Sequence, residues 1–220
     1  MWVTMTLERK ENEKEQRRNT IIDAAQALFF AKPYDEITME AIAEKARLAK
    51  GTVYLYFNSK EEVYSAVALR GSRILNRMLK GHVEGKKNGL EKAFATGEAY
   101  YQFSKEHQDY FRVFAEAENL DLCSDYKTSQ ELFTISNETL EIVVNSVIEG
   151  ERDGSIRPDL DPKLTAIFLI QSTKSMIQLT PSFERFLKKT GTDKDVIVRF
   201  TLQALRQALQ NDQNGKAGEP

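Results

Sequence analysis

Residues 38–57 read TMEAIAEKARLAKGTVYLYF, and this stretch decides the fold. Thr38 is a suitable N-cap for a short helix that ends near Lys45, because its hydroxyl can accept a hydrogen bond from a free backbone N–H of the first turn. A turn of about three residues follows, and a second short helix is predicted over residues 49–55. Two short helices joined by a tight turn, with a third helix ahead of them, form the layout of a helix-turn-helix.

Helical periodicity continues on both sides of this stretch and predicts an all-α protein. The first firm helix is predicted over 17–32, where Ile21, Ala25 and Phe29 share one apolar face. The all-charged residues 8–18 are either a helical lead-in to it or a frayed arm. Asp161 followed by proline marks a further helix start. The other predicted helices cover residues 60–80, 88–106, 108–119, 127–152, 162–179 and 193–210.

Composition excludes several classes of protein. The 220 residues are 41% apolar and 29% charged with a net charge of −2, which is typical of a globular chain and not of a disordered one. The lone cysteine, Cys123, rules out an intrachain disulfide, and with two histidines it leaves too few ligands for a common zinc site. No apolar run approaches the roughly 20 residues of a membrane span, and the N-terminus has no secretory apolar region. We expect a cytoplasmic protein without a metal or cofactor.

Positive charge concentrates around the predicted turn. Lys45, Arg47, Lys50 and Lys60 follow one another without an intervening acid. Such a run is either a solvated face or, if the cations lie on one exposed element, a nucleic-acid contact surface. From the pattern alone, DNA binding and a plain three-helix core both stay open.

The residues themselves resemble the TetR family of bacterial repressors. The resemblance rests on TMEAIAEKA at 38–46, on KGTVYLYFNSKEE at 50–62, and on Ile21, Leu28 and Phe29 in the helix ahead. It covers about residues 17–64; beyond residue 80 only the length and layout agree, with the segment from Gly154 to Pro162. The resemblance implies a DNA-binding domain over residues 1–62 and a ligand-binding and dimerisation domain over 63–210, and we expect a disordered tail over 211–220.

The resemblance also implies roles for individual residues. Thr52 and Leu55 would touch base edges, while Tyr54, Tyr56 and Lys60 would contact the DNA backbone or bases. Lys50 and Gly51 would receive a phosphate at the helix N-terminus. The candidate DNA contacts are Arg17, Thr38, Arg47, Lys50, Gly51, Thr52, Tyr54, Leu55, Tyr56 and Lys60. Phe57 is expected in the core, and for any single lysine a purely solvated position is the alternative.

Two positions depart from the family pattern. Arg47 stands where the family generally has glycine, so it is expected to need a positive φ at a cost of about 1 kcal/mol. Ala49 stands where the family commonly has serine or another capping residue, which gives up a cap of about 1 kcal/mol. The departures put in doubt the phosphate contact normally made at this helix start, and the charge of Arg47 could replace it.

The last two long helices are the candidates for pairing two subunits. Two recognition helices about 34–36 Å apart would read a pseudo-palindromic operator. The candidate dimerisation residues are Phe168, Ile197, Phe200, Ala204 and Leu205. A purely intrachain core is the alternative interpretation of the same apolar pattern.

Aromatic residues are concentrated in the middle helices and predict either a core or a pocket for a small-molecule effector. The candidate pocket residues are Phe103, His107, Phe111, Phe114, Glu118 and Met176. We expect a homodimeric repressor that the effector releases from its operator, with the helix that begins near Lys60 as the lever. The competing classes are an enzyme and an interaction bundle, but the chain shows no Ser/His/Asp set, metalloprotease motif, P-loop or dinucleotide turn.

Overall fold

The computed structural model describes residues 2–119 and 126–211, with side chains described throughout except at 2–8, 118–119, 126–127 and 129. These residues form ten α-helices and one short 3-10 helix, and among them no β-strand occurs beyond an isolated bridge between Ile156 and Gln210. The predicted all-α fold class is therefore confirmed.

The helices follow the sequence periodicity closely after residue 38. Their bounds are α1 (Trp2–Ala31), the 3-10 helix (Tyr34–Glu36), α2 (Met39–Ala46), α3 (Lys50–Tyr54), α4 (Lys60–Val83), α5 (Gly89–Glu106), α6 (Gln108–Asn119), α7 (Tyr126–Asp153), α8 (Pro162–Ile177), α9 (Pro181–Lys189) and α10 (Lys194–Leu209).

Internal contacts divide the chain into two compact units. The N-terminal unit comprises residues 1–72 together with 109–132. Its core draws on α1, α2, α3, the first turns of α4 and, from much later in the sequence, α6. Among its most buried residues are Ile21, Ala25, Phe29, Ile42, Val53, Val63, Val67 and Val113. The apolar face predicted on α1 is thus the face that packs.

The C-terminal unit comprises residues 73–108 together with 133–220. In it α5 packs against α8 and α10, and α8 packs against α10. Its core includes Leu90, Phe94, Val143, Val147, Ala166, Leu169 and Leu209. The backbone N–H of Gly89 donates to Asp153 at 2.8 Å, which fixes the start of α5 to the end of α7.

Two features differ from the sequence expectations. Helix α1 begins at Trp2 and not near residue 17, so the charged stretch 8–18 is a helical lead-in. Helix α9 was not predicted, although Thr180 caps it through the N–H of Phe183 and Pro181 occupies its first turn. A capping residue followed by proline also marks the start of α8. Helix α9 has only 9 residues, too few to show an extended helical repeat of apolar residues.

The two compact units of the structure do not coincide with the domain boundary predicted from the sequence. Residues 63–72, 109–119 and 126–132 pack with the N-terminal unit, although they follow the predicted boundary at residue 62. The domain boundaries stay predictions, because compact packing does not by itself show which segments fold alone. The predicted tail lies outside the described residues except for Asn211, whose backbone N–H donates to the carbonyl of Ser155 at 3.2 Å.

Candidate nucleic-acid interface

The turn between α2 and α3 has the geometry that its sequence predicted. The Thr38 hydroxyl accepts from the N–H of Ala41 at 3.2 Å and caps α2. Arg47 ends the helix with φ 56° and ψ 40°, the left-handed conformation expected where the family has glycine. A non-glycine residue pays about 1 kcal/mol for this conformation. The side chain of Arg47 is exposed, so the strained position still presents a cation to solvent.

One side of helix α3 packs against the core of the N-terminal unit, and the other side is exposed to solvent. Val53 is fully buried and Phe57 nearly so, and these two residues hold the helix and the segment after it to the core. Lys50, Gly51, Tyr54 and Leu55 are exposed on the outer side, Leu55 to 79%. An open apolar side chain on so short a helix has no partner in its own core, which suits contact with another molecule.

Ala49 precedes α3 without a side-chain cap, as its sequence predicted. A Cβ atom at Gly51 would meet nothing within 4 Å, so open space surrounds the start of the helix. Thr52 and Tyr56 are half-buried, and Arg17 on α1 is exposed. The structure therefore brings Lys50, Tyr54 and Leu55 to the outer side of α3, whereas Thr52 and Tyr56 lie at its edges.

Lys50 is held by a contact that sequence reasoning missed. Its ammonium group forms an ion pair with Glu40 of α2, and it also lies 5.8 Å from the ring centre of Tyr54. The hydrogen bond from Lys50 lowers the pKa of Glu40, and the same contact raises the pKa of Lys50. Both side chains are exposed, so the pair is weak and orients the cation more than it stabilises the fold.

Lys60 is also engaged within the protein. Its Nζ donates to the carbonyl of Tyr34 at 3.0 Å and lies 3.9 Å from the centre of the Tyr34 ring. The Tyr34 hydroxyl in turn donates to Glu61 at 2.6 Å, and this hydrogen bond lowers the pKa of Glu61. The start of α4 is thereby tied to the 3-10 helix, with the ammonium of Lys60 held in a defined place.

Helix α6 is attached to the other helices of the N-terminal unit by hydrogen bonds that the sequence did not indicate. Arg112 Nη2 donates to the carbonyls of Phe29 and Phe30 at 2.9 and 3.1 Å, and so satisfies free carbonyls at the end of α1. The Tyr110 hydroxyl donates to Gln26 at 2.7 Å, and that of Tyr64 donates to Glu116 at 2.5 Å. Burial, followed by the Glu116 contact, raises the pKa of Tyr64.

A second group on α4 joins the same network. Arg70 Nη1 lies 2.5 Å from Asp23 and 3.1 Å from Gln26, and its Nη2 donates to Asn19 at 3.1 Å. Gln26 therefore receives hydrogen bonds from both α4 and α6. The signal that could have revealed α6 here is the spacing of Tyr110, Val113 and Ala117, three apolar residues on one helical face.

The predicted pocket residues fall into both compact units. Phe111 and Phe114 belong to the N-terminal unit and are half-buried, whereas Phe103, His107 and Met176 belong to the C-terminal unit. Phe103 is fully buried and its ring lies 5.6 Å from that of His107. The side chain of Glu118 lies outside the described part of the chain. A common pocket for the six residues stays a prediction.

The predicted dimerisation residues lie on α8 and α10, which pack against each other. Phe168, Phe200 and Ala204 are exposed, and Ile197 and Leu205 are half-buried. Further exposed apolar side chains extend the same two helices: Leu164, Ile167 and Val196. We call the exposed residues Leu164, Ile167, Phe168, Val196 and Phe200 the α8–α10 stripe.

The N-terminal unit contains a short capped helix, a tight turn, and a second helix with one buried side and one exposed side. This is the geometry of helix-turn-helix DNA-binding proteins. The pattern of the bacterial regulatory proteins of the tetR family matches residues 21–67 of this sequence. Residues 21–67 therefore carry the helix-turn-helix of the TetR family of transcriptional regulators. No helix in the described part of the chain is both long enough and apolar enough to span a membrane.

Several relatives and solved structures extend the similarity. The HTH-type transcriptional regulator YhgD of Bacillus subtilis (strain 168) is 26% identical over 158 residues, which cover 70% of this chain and 79% of that protein. The fatty acid metabolism regulator protein of the same organism is 28% identical over 152 residues, 66% of this chain and 73% of its own. The crystal structure of the FadR regulator from Bacillus subtilis in complex with stearoyl-CoA has a TM-score of 0.61 at 22% identity, covering 87% of this chain and 98% of that one, which shows a shared fold.

Proposed function

We propose that this protein is a cytoplasmic transcriptional repressor that binds a pseudo-palindromic operator as a homodimer and leaves it when a small molecule binds. The observation that carries the proposal is the outer side of α3, where Lys50, Tyr54 and Leu55 are exposed while Val53 anchors the helix. A helix held this way can enter the major groove without losing its own packing. We assign no catalytic role to any residue.

The phosphate contacts are proposed for the exposed or half-exposed cations around α3. Lys50 would give up its ion pair with Glu40 and bind a phosphate instead. Breaking this ion pair costs little free energy because both side chains are exposed. Lys60 is already positioned by Tyr34, so it would contact a phosphate with little loss of side-chain freedom. Arg47 would supply a third contact from the strained turn, and Arg17 one from α1.

The homodimer is proposed from the α8–α10 stripe. Its apolar side chains stand in solvent on two helices that pack side by side, and a contiguous exposed apolar surface is typical of a protein interface. A stable interface of this kind buries on the order of 1,600 Å² in total. One helix-turn-helix reads too few bases for a specific site, so pairing of two copies also meets a requirement of recognition.

The effector is proposed to be an amphipathic metabolite such as a fatty-acyl thioester. The support is the similarity to the fatty acid metabolism regulator and to the FadR structure that holds stearoyl-CoA.

The route of the signal is proposed to run through α4 and α6. Helix α4 contributes residues to both compact units, and α6 is bonded to α1 and α4 through Arg112, Tyr110 and Glu116. A shift of either helix would therefore move the base of the recognition element. A coupling free energy of about 1–3 kcal/mol would lower operator affinity five- to 150-fold.

One experiment can identify the operator and test its symmetry. Binding to a pool of random DNA, followed by sequencing of the retained fragments and footprinting, should yield a two-fold symmetric site with half-site centres about one helical turn apart. Retained fragments without two-fold symmetry would contradict binding as a homodimer. An absence of retained fragments would contradict DNA binding altogether.

The anchoring of α6 can be tested with a matched pair of variants. Tyr64→Phe removes the hydroxyl bonded to Glu116, and Tyr34→Phe removes a similar tyrosine–glutamate bond that does not involve α6. Amide hydrogen exchange in α6 should accelerate in Tyr64→Phe and not in Tyr34→Phe. Equal exchange of α6 in both variants would remove this contact from the proposed route.

A further inference from the structure

A cavity of about 590 Å³ lies within the C-terminal unit between α5 and α10. Its volume is in the range of small-molecule sites. The helices contribute ten lining residues: Phe94, Glu98, Tyr101, Gln102, Lys105 and Glu106 from α5, and Arg199, Leu202, Gln203 and Arg206 from α10. None of them belongs to the predicted aromatic pocket or to the predicted DNA contacts.

The cavity occupies its own side of α10. At about 100° per residue, Val198 and Leu209 point to the core, where both are buried. Val196 and Phe200 form a second, exposed side that belongs to the α8–α10 stripe. The cavity residues of α10 lie on a third side, so a bound molecule there and a second subunit on the stripe would use different surfaces.

Phe94 and Leu202 form an apolar part of the cavity lining, and α5 and α10 approach each other near it at Gly97. A Cβ atom at this position would lie 2.9 Å from Leu202 Cδ2, so a larger residue would require the Leu202 side chain to shift. A hydrocarbon chain could lie along this apolar part of the lining and leave water.

The rim carries charges that are unequally paired. Lys105 pairs with Asp195 at 2.7 Å, and Glu106 accepts a hydrogen bond from Gln102 at 2.7 Å. Among the described residues, the side chains of Arg199, Arg206 and Glu98 form no ion pair and no hydrogen bond, although the charge of Arg199 also acts on Asp195. Two guanidinium groups against one carboxylate remain available to a ligand.

We propose that this cavity binds an amphipathic anion, a carboxylate or phosphate ester that carries an apolar chain. The arginine forks hold the anionic group by paired hydrogen bonds, as guanidinium groups do with carboxylates and phosphates. The chain packs on Phe94 and Leu202. This site is separate from the proposed effector pocket and does not depend on DNA binding.

The test uses isothermal titration of the full chain with three ten-carbon probes below their micelle concentrations: decanoate, decyl phosphate and decanol. The test variant is Arg199→Gln with Arg206→Gln, and the control is Arg152→Gln with Arg185→Gln, which removes two exposed arginines elsewhere in the C-terminal unit. At least one of the two anions should bind the unaltered protein, and the test variant should bind it at least tenfold more weakly. The control should bind within twofold of the unaltered protein, and decanol at least tenfold more weakly than the anion.

Each other outcome overturns the proposal. Binding of neither anion excludes the site, and equal binding by the test variant places the anion elsewhere. Binding of decanol as tight as that of the anions removes the role of the arginines. Arg199→Lys with Arg206→Lys keeps both charges and should retain part of the affinity, so the test remains decisive if the glutamine variant folds poorly. Operator binding without a probe should be the same in every variant, which separates this proposal from the function of the protein.

Discussion

Leu55 at the C-cap of α3 and Phe200 on α10 are both large apolar side chains that stand in solvent, at 79% and 70% exposure, but their neighbours differ. Leu55 directly follows a five-residue helix whose exposed residues include Lys50 and Tyr54. Phe200 is one of five exposed apolar side chains on α8 and α10, two helices that pack against each other. An isolated apolar group among cations suits the groove of a charged polymer, whereas a continuous stripe suits a second apolar surface. Exposure alone identifies neither partner; the surrounding chemistry does.

The largest expected effect comes from placing a charge on the stripe. Phe200→Glu should convert a dimer to a monomer, because burying an unpaired carboxylate in the dimer interface is costly. Operator affinity should fall more than 100-fold, because a monomer contacts only one of the two half-sites. Light scattering and gel shift on the selected operator measure the two results.

Phe133→Glu is the matched control for this substitution. Phe133 is 68% exposed on α7, outside the stripe, so its replacement should leave both the dimer and the affinity unchanged. A dimer that survives Phe200→Glu would show that the stripe covers something other than a second copy.

The next effect tests the cations around Leu55. Lys60→Ala should weaken binding to operator and to unrelated DNA alike, about tenfold, and should reduce the slope of log affinity against log salt by about 1. Lys87→Ala, an exposed lysine of the C-terminal unit, serves as the control with an unchanged slope. If the Lys60 variant keeps the slope of the unaltered protein, Lys60 only holds Tyr34 and does not contact phosphate.

Leu55 itself should affect specificity and not the salt dependence. Leu55→Ala removes an apolar contact to a base edge, so operator affinity should fall about fivefold while affinity for unrelated DNA stays the same. Thermal unfolding should be unchanged, since the side chain packs against nothing in its own core. An equal loss on both DNAs would place Leu55 against the backbone and weaken the contrast with Phe200.

Sequence reasoning succeeded where the physical requirement is local or the resemblance is position by position. The cap at Thr38 and the burial of Phe57 follow from the residue types themselves. The left-handed turn at Arg47 and the outward side of α3 were expected from the resemblance to the TetR family. These features could be predicted because a helix-turn-helix leaves few alternatives for each position.

Sequence reasoning failed where contacts join distant parts of the chain. Arg112 reaches the carbonyl oxygen of Phe29, 83 residues away, and Tyr64 reaches Glu116 across 52 residues. The spacing of Tyr110, Val113 and Ala117 indicates that one face of α6 is packed, but it does not indicate that the partner is the N-terminal unit. The Glu40–Lys50 pair was also missed, because two charged residues ten positions apart carry no periodic signal.

The smallest effect concerns the turn that precedes α3. Arg47→Gly should stabilise the protein by about 1 kcal/mol, because glycine adopts φ 56° without the steric cost of a Cβ atom. The same change should lower DNA affinity two- to fivefold and reduce the salt slope by up to about 1 if the cation contacts phosphate. Arg47→Asn separates the two contributions, since asparagine tolerates the left-handed conformation but carries no charge. A gain in stability with an unchanged salt slope would leave Arg47 as a purely structural departure, and the DNA surface around Leu55 would then be defined by Lys50 and Lys60.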